Sequence, residues 1–310
     1  MAPGPDQGID DDPHKRALLR DDPPAETLAW VSRVCDGAPI VATEPLLGGS
    51  TSAMHAVSLR ERDAVLRVVL RRYVLEEVLA EEPDIADQEA LALRLVDPLA
   101  VPTPRLLALD STAAETDVPA LVISELPGRP AWYSRDARRW LPAMADAAID
   151  IHAVAVPADA GVRPFDRYAQ HSYEPPRWVA DPAVWERAVE IFLGPITSHD
   201  VGFIHRDFHP GNVLWHRRRL TGVVDWQAAS IGPRCVDIGH CRTNLIFDDP
   251  ALVAVFTAEW ERRSGQTFDP IGDVVTIIGL LDGLRERPPR ASAQRGFDEM
   301  LGRAVAEIGA

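Results

Sequence analysis

The sequence is poor in cysteine: only Cys35, Cys235 and Cys241 occur among its 310 residues. Their number is odd and no two of them form a CxxC pair, so neither a disulfide framework nor a simple zinc knuckle is predicted. This usage is typical of a reduced compartment, and we expect a cytoplasmic protein.

Long apolar runs are also missing. None approaches the about 18 residues that a membrane-spanning helix needs, so we expect no membrane partner. Residues 1–24 are rich in Asp and Pro and lack the basic and then apolar regions of a secretion signal. We predict that residues 1–24 form a disordered tail.

Positive charge is scarce as well. The 32 Lys and Arg stand against 47 Asp and Glu, which gives a formal net charge of -15. This balance argues against general nucleic-acid binding and allows cationic ligands. The length is more than one domain usually needs, and two lobes are the natural expectation.

What the sequence does contain is a cluster of polar residues around two short apolar runs. Val213–Trp215 and Val223–Val224 are joined by polar residues and predict a β-hairpin. With a turn at Arg218–Arg219, Val213 would face Val224 and Asn212 would face Asp225, with Cβ atoms about 4.5–5.5 Å apart. A longer loop with the register moved by a residue or two is the alternative.

Oxygen ligands placed side by side in this way suit Mg²⁺. Asp207 lies five residues before Asn212, in the loop that leads to the same end of the hairpin, where it could accept a proton from a nucleophile. The histidines His205 and His209 have the spacing of a helical metal pair, but Pro210 and Gly211 argue against a helix and against zinc.

The first part of the chain predicts strands and one helix. A loop at Gly48, Gly49, Ser50, Thr51 and Ser52 joins two of the strands and could bring backbone N–H groups to a phosphate, although an isolated loop of this kind is more often a plain turn.

The predicted helix is Ile85–Val96, with Asp84 as its N-cap. Glu89 lies on or beside its apolar face. It either pairs with a cation of the preceding strand, Arg71 or Arg67, or lies in water at the edge of the helix.

The patterns become mainly helical after the strand Ala120–Ser124 and the loop that follows it. We therefore predict an N-lobe at 25–125 and a C-lobe at 126–310. The backbone of Ser124, Glu125 and Leu126 would be free to bind a ligand between the lobes.

The strongest signal is the spacing His-x-Asp-x-x-x-x-Asn at 205–212, followed by the strand-end Asp225 and by Asp237. With Phe203–Trp215, Val223–Trp226 and Gly232–His240, the chain resembles the aminoglycoside phosphotransferase family, within the protein-kinase-like superfamily that also holds the choline kinases. The resemblance implies an α+β, bilobal protein-kinase-like fold, with a small β-sheet N-lobe that has one key helix and a larger, mainly helical C-lobe.

The resemblance also implies roles. ATP would lie between the lobes and its γ-phosphoryl would pass to a hydroxyl of a small molecule. Asp207 resembles the catalytic base, Asn212 and Asp225 the Mg²⁺ ligands, and Asp237 a residue that steadies the loop. Glu89 resembles the helix Glu that pairs with a strand-three Lys, for which Arg71 is the best match and Arg67 the second.

In the same way, Gly48, Gly49, Ser50, Thr51 and Ser52 take the position of the phosphate loop, and Ser124, Glu125 and Leu126 that of the adenine-contacting hinge. ATP and Mg²⁺ are the expected cofactors. The expected partner is a small-molecule acceptor, with no nucleic acid and no membrane, for a monomer or a homodimer.

Two functions remain open from the sequence. The first is an ATP- and Mg²⁺-dependent small-molecule phosphotransferase, and the alternative is a nucleotide-binding pseudoenzyme or regulatory module. The acceptor is open too. Acidic residues of the C-lobe such as Asp248, Asp249 and Asp282 could face a polycation, whereas the aromatic segment Phe165–Trp185 could line an apolar pocket.

Overall fold

The computed structural model describes residues 13–46, 51–62, 64–130, 137–196, 198 and 200–309. The described chain divides into two compact units. The first comprises the residues up to Asp97 together with Thr103–Leu126, and the second comprises Pro98–Pro102 and the residues from Pro127 onward.

The first unit combines a sheet with short helices. Its elements are α1 (Pro13–Leu18), α2 (Ala25–Val34), β1 (Ile40–Pro45), β2 (Ala53–Glu61), β3 (Ala64–Arg72), α3 (Glu76–Glu81), α4 (Ile85–Val96), β4 (Leu106–Asp110) and β5 (Ala120–Ser124). The strands form one antiparallel sheet in the order β1-β2-β3-β5-β4.

Strand β3 is central, and its last five residues are buried. On one face of the sheet, Trp30 and Val31 of α2 pack against alternating apolar residues of the strands, among them Val57 and Leu70. Side chains alternate between the two faces of a strand, so Arg71 points to the face opposite Leu70. The sequence of β3 therefore places an arginine on a buried face.

One prediction for this unit is wrong in the described residues, and another is confirmed only in part. Residues 13–24, predicted as part of a disordered tail, contain α1, and Leu19 (4% exposed) packs against Leu75. A helix forms here although its few apolar residues have no periodicity, because residues from another part of the chain pack against them. The helix at Ile85–Val96 forms as predicted, but the side chain of Asp84 makes no capping hydrogen bond.

The second unit is mainly helical. Its elements are β6 (Arg129–Pro130), α5 (Leu141–His152), α6 (Pro182–Leu193), β7 (Val201–Ile204), β8 (Val213–His216), β9 (Arg219–Val223), β10 (Ser230–Pro233), α7 (Cys235–Asp248), α8 (Ala251–Ser264), α9 (Ile271–Ile278), α10 (Leu281–Glu286) and α11 (Ala291–Ile308). Strand β7 pairs with β10, and β8 lies between β6 and β9.

Helix α7 is held close to α9 because glycines lie where the helices meet. A Cβ atom on Gly239 would come within 2.3 Å of the carbonyl oxygen of Gly272, and a Cβ on Gly272 would come within 2.2 Å of the carbonyl oxygen of Cys235. A hydrogen bond of 2.8 Å between the hydroxyls of Thr243 and Thr276 joins the same helices. Helix α7 is thus a fixed base for the side chains that it presents to the loop between β7 and β8.

Within the described residues, no helix is both long enough and apolar enough to cross a membrane.

Candidate active site

The hairpin predicted from the apolar runs is present as β8 and β9. Val213 pairs with Val223 and His216 pairs with Arg219, with an irregularity in the ladder between these two pairs. The turn is Arg217–Arg218, and both residues have positive φ, 47° and 66°. Two-residue hairpin turns require such φ values, which are usually supplied by Gly or Asn.

The predicted register is therefore wrong by one residue at Val213. The register is shifted as the alternative allowed, but the loop has two residues and is not the longer loop of that alternative. The turn is not at Arg218–Arg219, and Asn212 does not face Asp225. Instead, the carbonyl oxygen of Asn212 accepts a hydrogen bond of 2.9 Å from the backbone N–H of Val224. Turn rules could not anticipate this shift, because two arginines adopt the left-handed conformation and the ladder contains an irregularity.

Asp207 and Asn212 are in direct contact. A 3₁₀ turn at Pro210–Asn212 brings the amide of Asn212 back onto the loop. Its Nδ2 donates to the carbonyl oxygen of Asp207 at 2.9 Å and to Asp207 Oδ2 at 2.8 Å. Because the nitrogen of the amide makes these bonds, its oxygen is the atom that can ligate a cation.

Asp225 follows Val224, whose backbone N–H and carbonyl groups both have hydrogen-bond partners. The backbone N–H of Val224 bonds to Asn212, and its carbonyl oxygen lies 3.0 Å from Nε2 of the His205 ring. Asp225 itself is left-handed, with a φ of 72°. Its carboxylate and the amide oxygen of Asn212 are hard oxygen donors, and a set of this kind fits Mg²⁺ better than it fits a soft metal.

The loop before Asp207 is anchored by Asp237 of α7. The buried carboxylate of Asp237 accepts the backbone N–H groups of His205 at 2.9 Å and Arg206 at 2.7 Å, and Nε2 of His152 lies 3.1 Å away. Arg206 has a φ of 69°, which is costly for a residue with a side chain. The hydrogen bonds to Asp237 offset that cost and fix the direction in which the chain enters Asp207.

Two histidines surround the carboxylate of Asp207. Nε2 of His240 lies 2.9 Å from Asp207 Oδ1, and Nε2 of His209 lies 3.6 Å from the same oxygen. Burial raises the pKa of the Asp207 carboxyl, but the electrostatic interaction with His209 and the hydrogen bond with His240 outweigh it and hold this pKa well below its usual range. Asp207 is therefore a carboxylate at neutral pH, and a weak base.

In the first unit, Arg71 and Glu89 form a buried ion pair. Arg71 is 3% exposed and Glu89 1% exposed, and Arg71 Nη1 lies 2.6 Å from Glu89 Oε1. The hydroxyl of Tyr73 donates to Glu89 Oε2 at 2.6 Å. Burial, followed by the charge of Glu89, raises the pKa of Tyr73 well above its usual range, so this hydroxyl stays a donor.

The choice that the sequence left open between Arg71 and Arg67 is thereby decided in favour of Arg71. Arg67 instead pairs with Glu125, with Nε 2.7 Å from the carboxylate. Lys15 of α1 is the only lysine in the whole sequence, so every other cation of the chain is an arginine or a histidine.

Part of the backbone of the segment predicted as an adenine-contacting hinge is already hydrogen-bonded within the protein. The backbone N–H of Ser124 donates to the carbonyl oxygen of Arg105 at 2.9 Å, so the expectation that it is free is wrong. Ser124 still belongs to β5, and the ladder uses its backbone. Glu125 and Leu126 lie beyond the end of the strand and remain candidates.

The predicted phosphate loop lies mostly outside the described residues, since Gly48, Gly49 and Ser50 are not among them. Thr51 and Ser52 are described and lead into β2, with Ser52 almost completely buried at 2% exposure. The phosphate-binding role of this loop stays a prediction.

Two residues of these sites were not predicted from the sequence: Tyr73, which binds Glu89, and His240, which binds Asp207. Tyr73 lies two residues after Arg71 and so shares its face of the chain, which could have indicated it. His240 lies three residues after Asp237 on α7, and the i, i+3 spacing of a helix could have indicated that both reach the same loop.

The aromatic segment that begins at Phe165 lines a cavity of about 560 Å³ in the second unit. Its walls include the rings of Phe165, Tyr168, Tyr173 and Phe192. The guanidinium of Arg206 lies over the ring of Tyr168, 4.2 Å from its centre. The wall of this cavity thus contacts the residue that immediately precedes Asp207.

Three solved structures with the same fold are distant from this chain in sequence. A candidate aminoglycoside phosphotransferase from Ralstonia eutropha JMP134 has a TM-score of 0.61 at 16% identity, over 92% of this chain and 97% of that one. The apoenzyme of a macrolide 2'-phosphotransferase from Brachybacterium faecium has a TM-score of 0.58 at 18% identity, over 90% and 98%.

A thermostable mutant of the aminoglycoside phosphotransferase APH(4)-Ia, in ternary complex with AMP-PNP and hygromycin B, has a TM-score of 0.59 at 16% identity, over 91% and 99%. These likenesses confirm the predicted α+β, protein-kinase-like fold class. No curated protein sequence matches the chain.

The sequence profile of one family matches residues 43–270, which is most of the chain and includes Arg71, Glu89, Asp207, Asn212 and Asp225. This confirms the resemblance that was drawn from the spacing of Asp207, Asn212 and Asp225: the chain belongs to the phosphotransferase enzyme family.

Proposed function

We propose that this phosphotransferase moves the γ-phosphoryl group of ATP to a hydroxyl of a small molecule, with Mg²⁺ ligated by Asn212 and Asp225. The observation that carries the proposal is the hydrogen bond of 2.8 Å between Asn212 Nδ2 and Asp207 Oδ2. One amide holds the carboxylate that would bind the acceptor hydroxyl and presents its oxygen to the cation. Mg²⁺, when bound, would neutralise charge on the phosphates.

Asp207 acts on the acceptor. A new bond forms between the acceptor oxygen and the γ-phosphorus, the bond from that phosphorus to the ADP oxygen breaks, and the hydroxyl proton passes to the Asp207 carboxylate. The low pKa of Asp207 makes it a poor proton acceptor early in the reaction. A loose phosphoryl-transfer transition state needs little deprotonation of the nucleophile until late, so the main task of Asp207 is to orient the hydroxyl.

We assign nucleotide contacts to the first unit as part of the same proposal. Arg71 would contact phosphate, Glu89 would hold Arg71, the loop at 48–52 would contact phosphate through its backbone, and Glu125 and Leu126 would contact the base. The support is the buried pairing of Arg71 with Glu89, which fixes the guanidinium before a ligand arrives. Distant relatives in complex with AMP-PNP and with GDP support a purine nucleotide.

The cavity beside Arg206 favours an acceptor with an apolar face over a polycation. Its walls include four aromatic rings, which offer apolar surface, alongside the charged residues Asp166 and Arg167. Asp282, by contrast, already accepts hydrogen bonds from the backbone N–H of His171 at 2.6 Å and pairs with Arg285, so its charge is neutralised within the chain. A panel of macrocyclic alcohols and aminoglycosides would rank the two classes by kcat/KM.

The test of the function is a transfer assay with ATP and Mg²⁺ in which phosphorylated acceptor is detected by mass spectrometry. We expect Asp207→Asn to lower kcat by about 10²- to 10⁴-fold, with little change in nucleotide affinity, because a positioned base contributes that much. EDTA should abolish transfer. The matched control is Asp159→Asn, an exposed carboxylate in a loop, which should behave as wild type. Full activity of Asp207→Asn would contradict the proposal.

A further inference from the structure

Helix α7 presents two side chains to the catalytic loop from one face. Asp237 binds the backbone N–H groups of His205 and Arg206, and His240, three residues later, reaches Asp207 Oδ1 at 2.9 Å. Residues three apart on a helix lie side by side. The same rigid helix therefore holds both the backbone that leads into Asp207 and the carboxylate itself.

The three side chains Asp207, His209 and His240 could also be taken for a metal site, since their ligand atoms all lie within 4.8 Å of one another. The hydrogen bonds of His209 argue against this. Its Nδ1 accepts the backbone N–H of Gly211 at 3.0 Å, so the proton of the neutral ring is on Nε2. A nitrogen that carries a proton towards Asp207 cannot ligate a metal, and the cluster is a set of donors around a carboxylate.

These donors are unequally shared between the two oxygens of Asp207. Oδ1 lies 2.9 Å from His240 and 3.6 Å from His209, the second distance being too long for a hydrogen bond. Oδ2 accepts from Asn212 at 2.8 Å. Each oxygen thus accepts one side-chain hydrogen bond, but the ring of His209 also lies beside Oδ1, so Oδ2 is the oxygen with more room for a further donor.

We propose that His240 is a positioning residue that donates its Nε2–H to Asp207 Oδ1 and so turns Oδ2 towards the acceptor hydroxyl. The proposal rests on the proposed function, because it assigns an orientation to the carboxylate that acts in that reaction. His240 touches neither nucleotide nor acceptor in this scheme, and its effect reaches the reaction only through Asp207.

The kinetic test compares two substitutions at one position. His240→Met removes the donor and keeps bulk, and we expect kcat to fall about 10- to 100-fold because small displacements of a catalytic group cost this much. The KM for ATP should stay within about twofold, since the nucleotide is not bound by His240. His240→Gln retains an N–H donor at similar reach and should recover kcat to within about fivefold of wild type.

The control is His216→Gln, which makes the same change at an exposed histidine of β8 and should leave kcat and KM unchanged. Equal kcat for His240→Met and wild type would overturn the proposal. So would a His240→Gln variant as slow as His240→Met, because the donor would then be irrelevant. Circular dichroism on each variant separates a loss of fold from a loss of position.

A second measurement does not depend on transfer. In the wild-type protein labelled with ¹⁵N-histidine, NMR should show His240 protonated at Nε2, with a slowly exchanging proton that is lost in Asp207→Leu. A spectrum with the proton on Nδ1 alone would overturn the proposal even if transfer is observed. A wild-type protein that transfers no phosphoryl group, yet shows the Nε2 proton, would contradict the proposed function while supporting the position of His240.

Discussion

The buried pair Arg71–Glu89 makes the sharpest prediction about stability. Glu89→Gln keeps the shape of the side chain but leaves a guanidinium that is 3% exposed without its counter-charge. Removing one partner of a buried ion pair costs about 3–5 kcal/mol, because the remaining charge is desolvated and unpaired. A glutamine oxygen can still accept one hydrogen bond, from Arg71 or from Tyr73, so we expect the lower end, about 3 kcal/mol.

Two companion variants show where this free energy resides. Tyr73→Phe removes one hydrogen bond to a charged acceptor and should cost about 1.5–3 kcal/mol while the ion pair stays intact. The double substitution Arg71→Met with Glu89→Leu removes both charges. It should be close to neutral in stability, since apolar residues of similar volume often replace a buried pair without loss.

The assay is urea unfolding followed by circular dichroism, from which the free energy of unfolding of each variant is taken. A cost below about 1 kcal/mol for Glu89→Gln would show that Arg71 is solvated and that the reasoning fails. The same conclusion would follow if the double variant were as unstable as Glu89→Gln. The nucleotide KM of the double variant, compared with that of Tyr73→Phe, then tests the proposed phosphate contact of Arg71.

Two other predictions concern acid stability and thiol chemistry. Asp117 accepts from Arg72 Nη2 at 2.5 Å; burial raises the pKa of its carboxyl, but the hydrogen bonds of Arg72 and Thr27 lower it overall. A depressed pKa contributes stability above the unfolded value of about 3.9 that is lost as pH falls through the folded value. Asp117→Asn should therefore lower the free energy of unfolding by about 2 kcal/mol at pH 7, which is less than for a fully buried pair because the Asp117 side chain is 21% exposed. Below about pH 5, the urea midpoint of this variant should fall less steeply with pH than that of the wild type. Burial raises the pKa of the thiols of Cys35, Cys235 and Cys241. A thiol reagent at pH 8 should therefore label no cysteine in the native protein and three after denaturation. A native thiol that reacts fast would contradict this.

The local patterns of the sequence were sufficient to predict many of the helices and strands. The helix Ile85–Val96 and the strand Ala120–Ser124 form with the predicted bounds, because each has a strong periodicity or a continuous buried run. The short helix at Pro13–Leu18 was missed, since its stabilising contact is Leu19 against Leu75, more than fifty residues along the chain. Local propensity carries no information about such a partner.

The candidate site also has one part that the sequence was enough to predict and one part that it was not. The spacing of Asp207, Asn212 and Asp225 is a property of the sequence and was enough to indicate the family, because a short loop and a hairpin fix the order of these residues whatever surrounds them. The register of that hairpin was not determined locally. It depends on an irregular ladder and on two arginines in the left-handed conformation, and favourable turn residues were absent.

What only the tertiary structure decided is which distant residues meet. Arg71 rather than Arg67 pairs with Glu89, because α4 lies against the face of the sheet to which Arg71 points, while Arg67 reaches Glu125. His240 meets Asp207 because close packing against α9 fixes the position of α7, through Gly239 and Gly272. The sequence by itself determined which chemical groups the protein has and their order along the catalytic loop. Packing between elements far apart in the chain determined how the carboxylate of Asp207 is held.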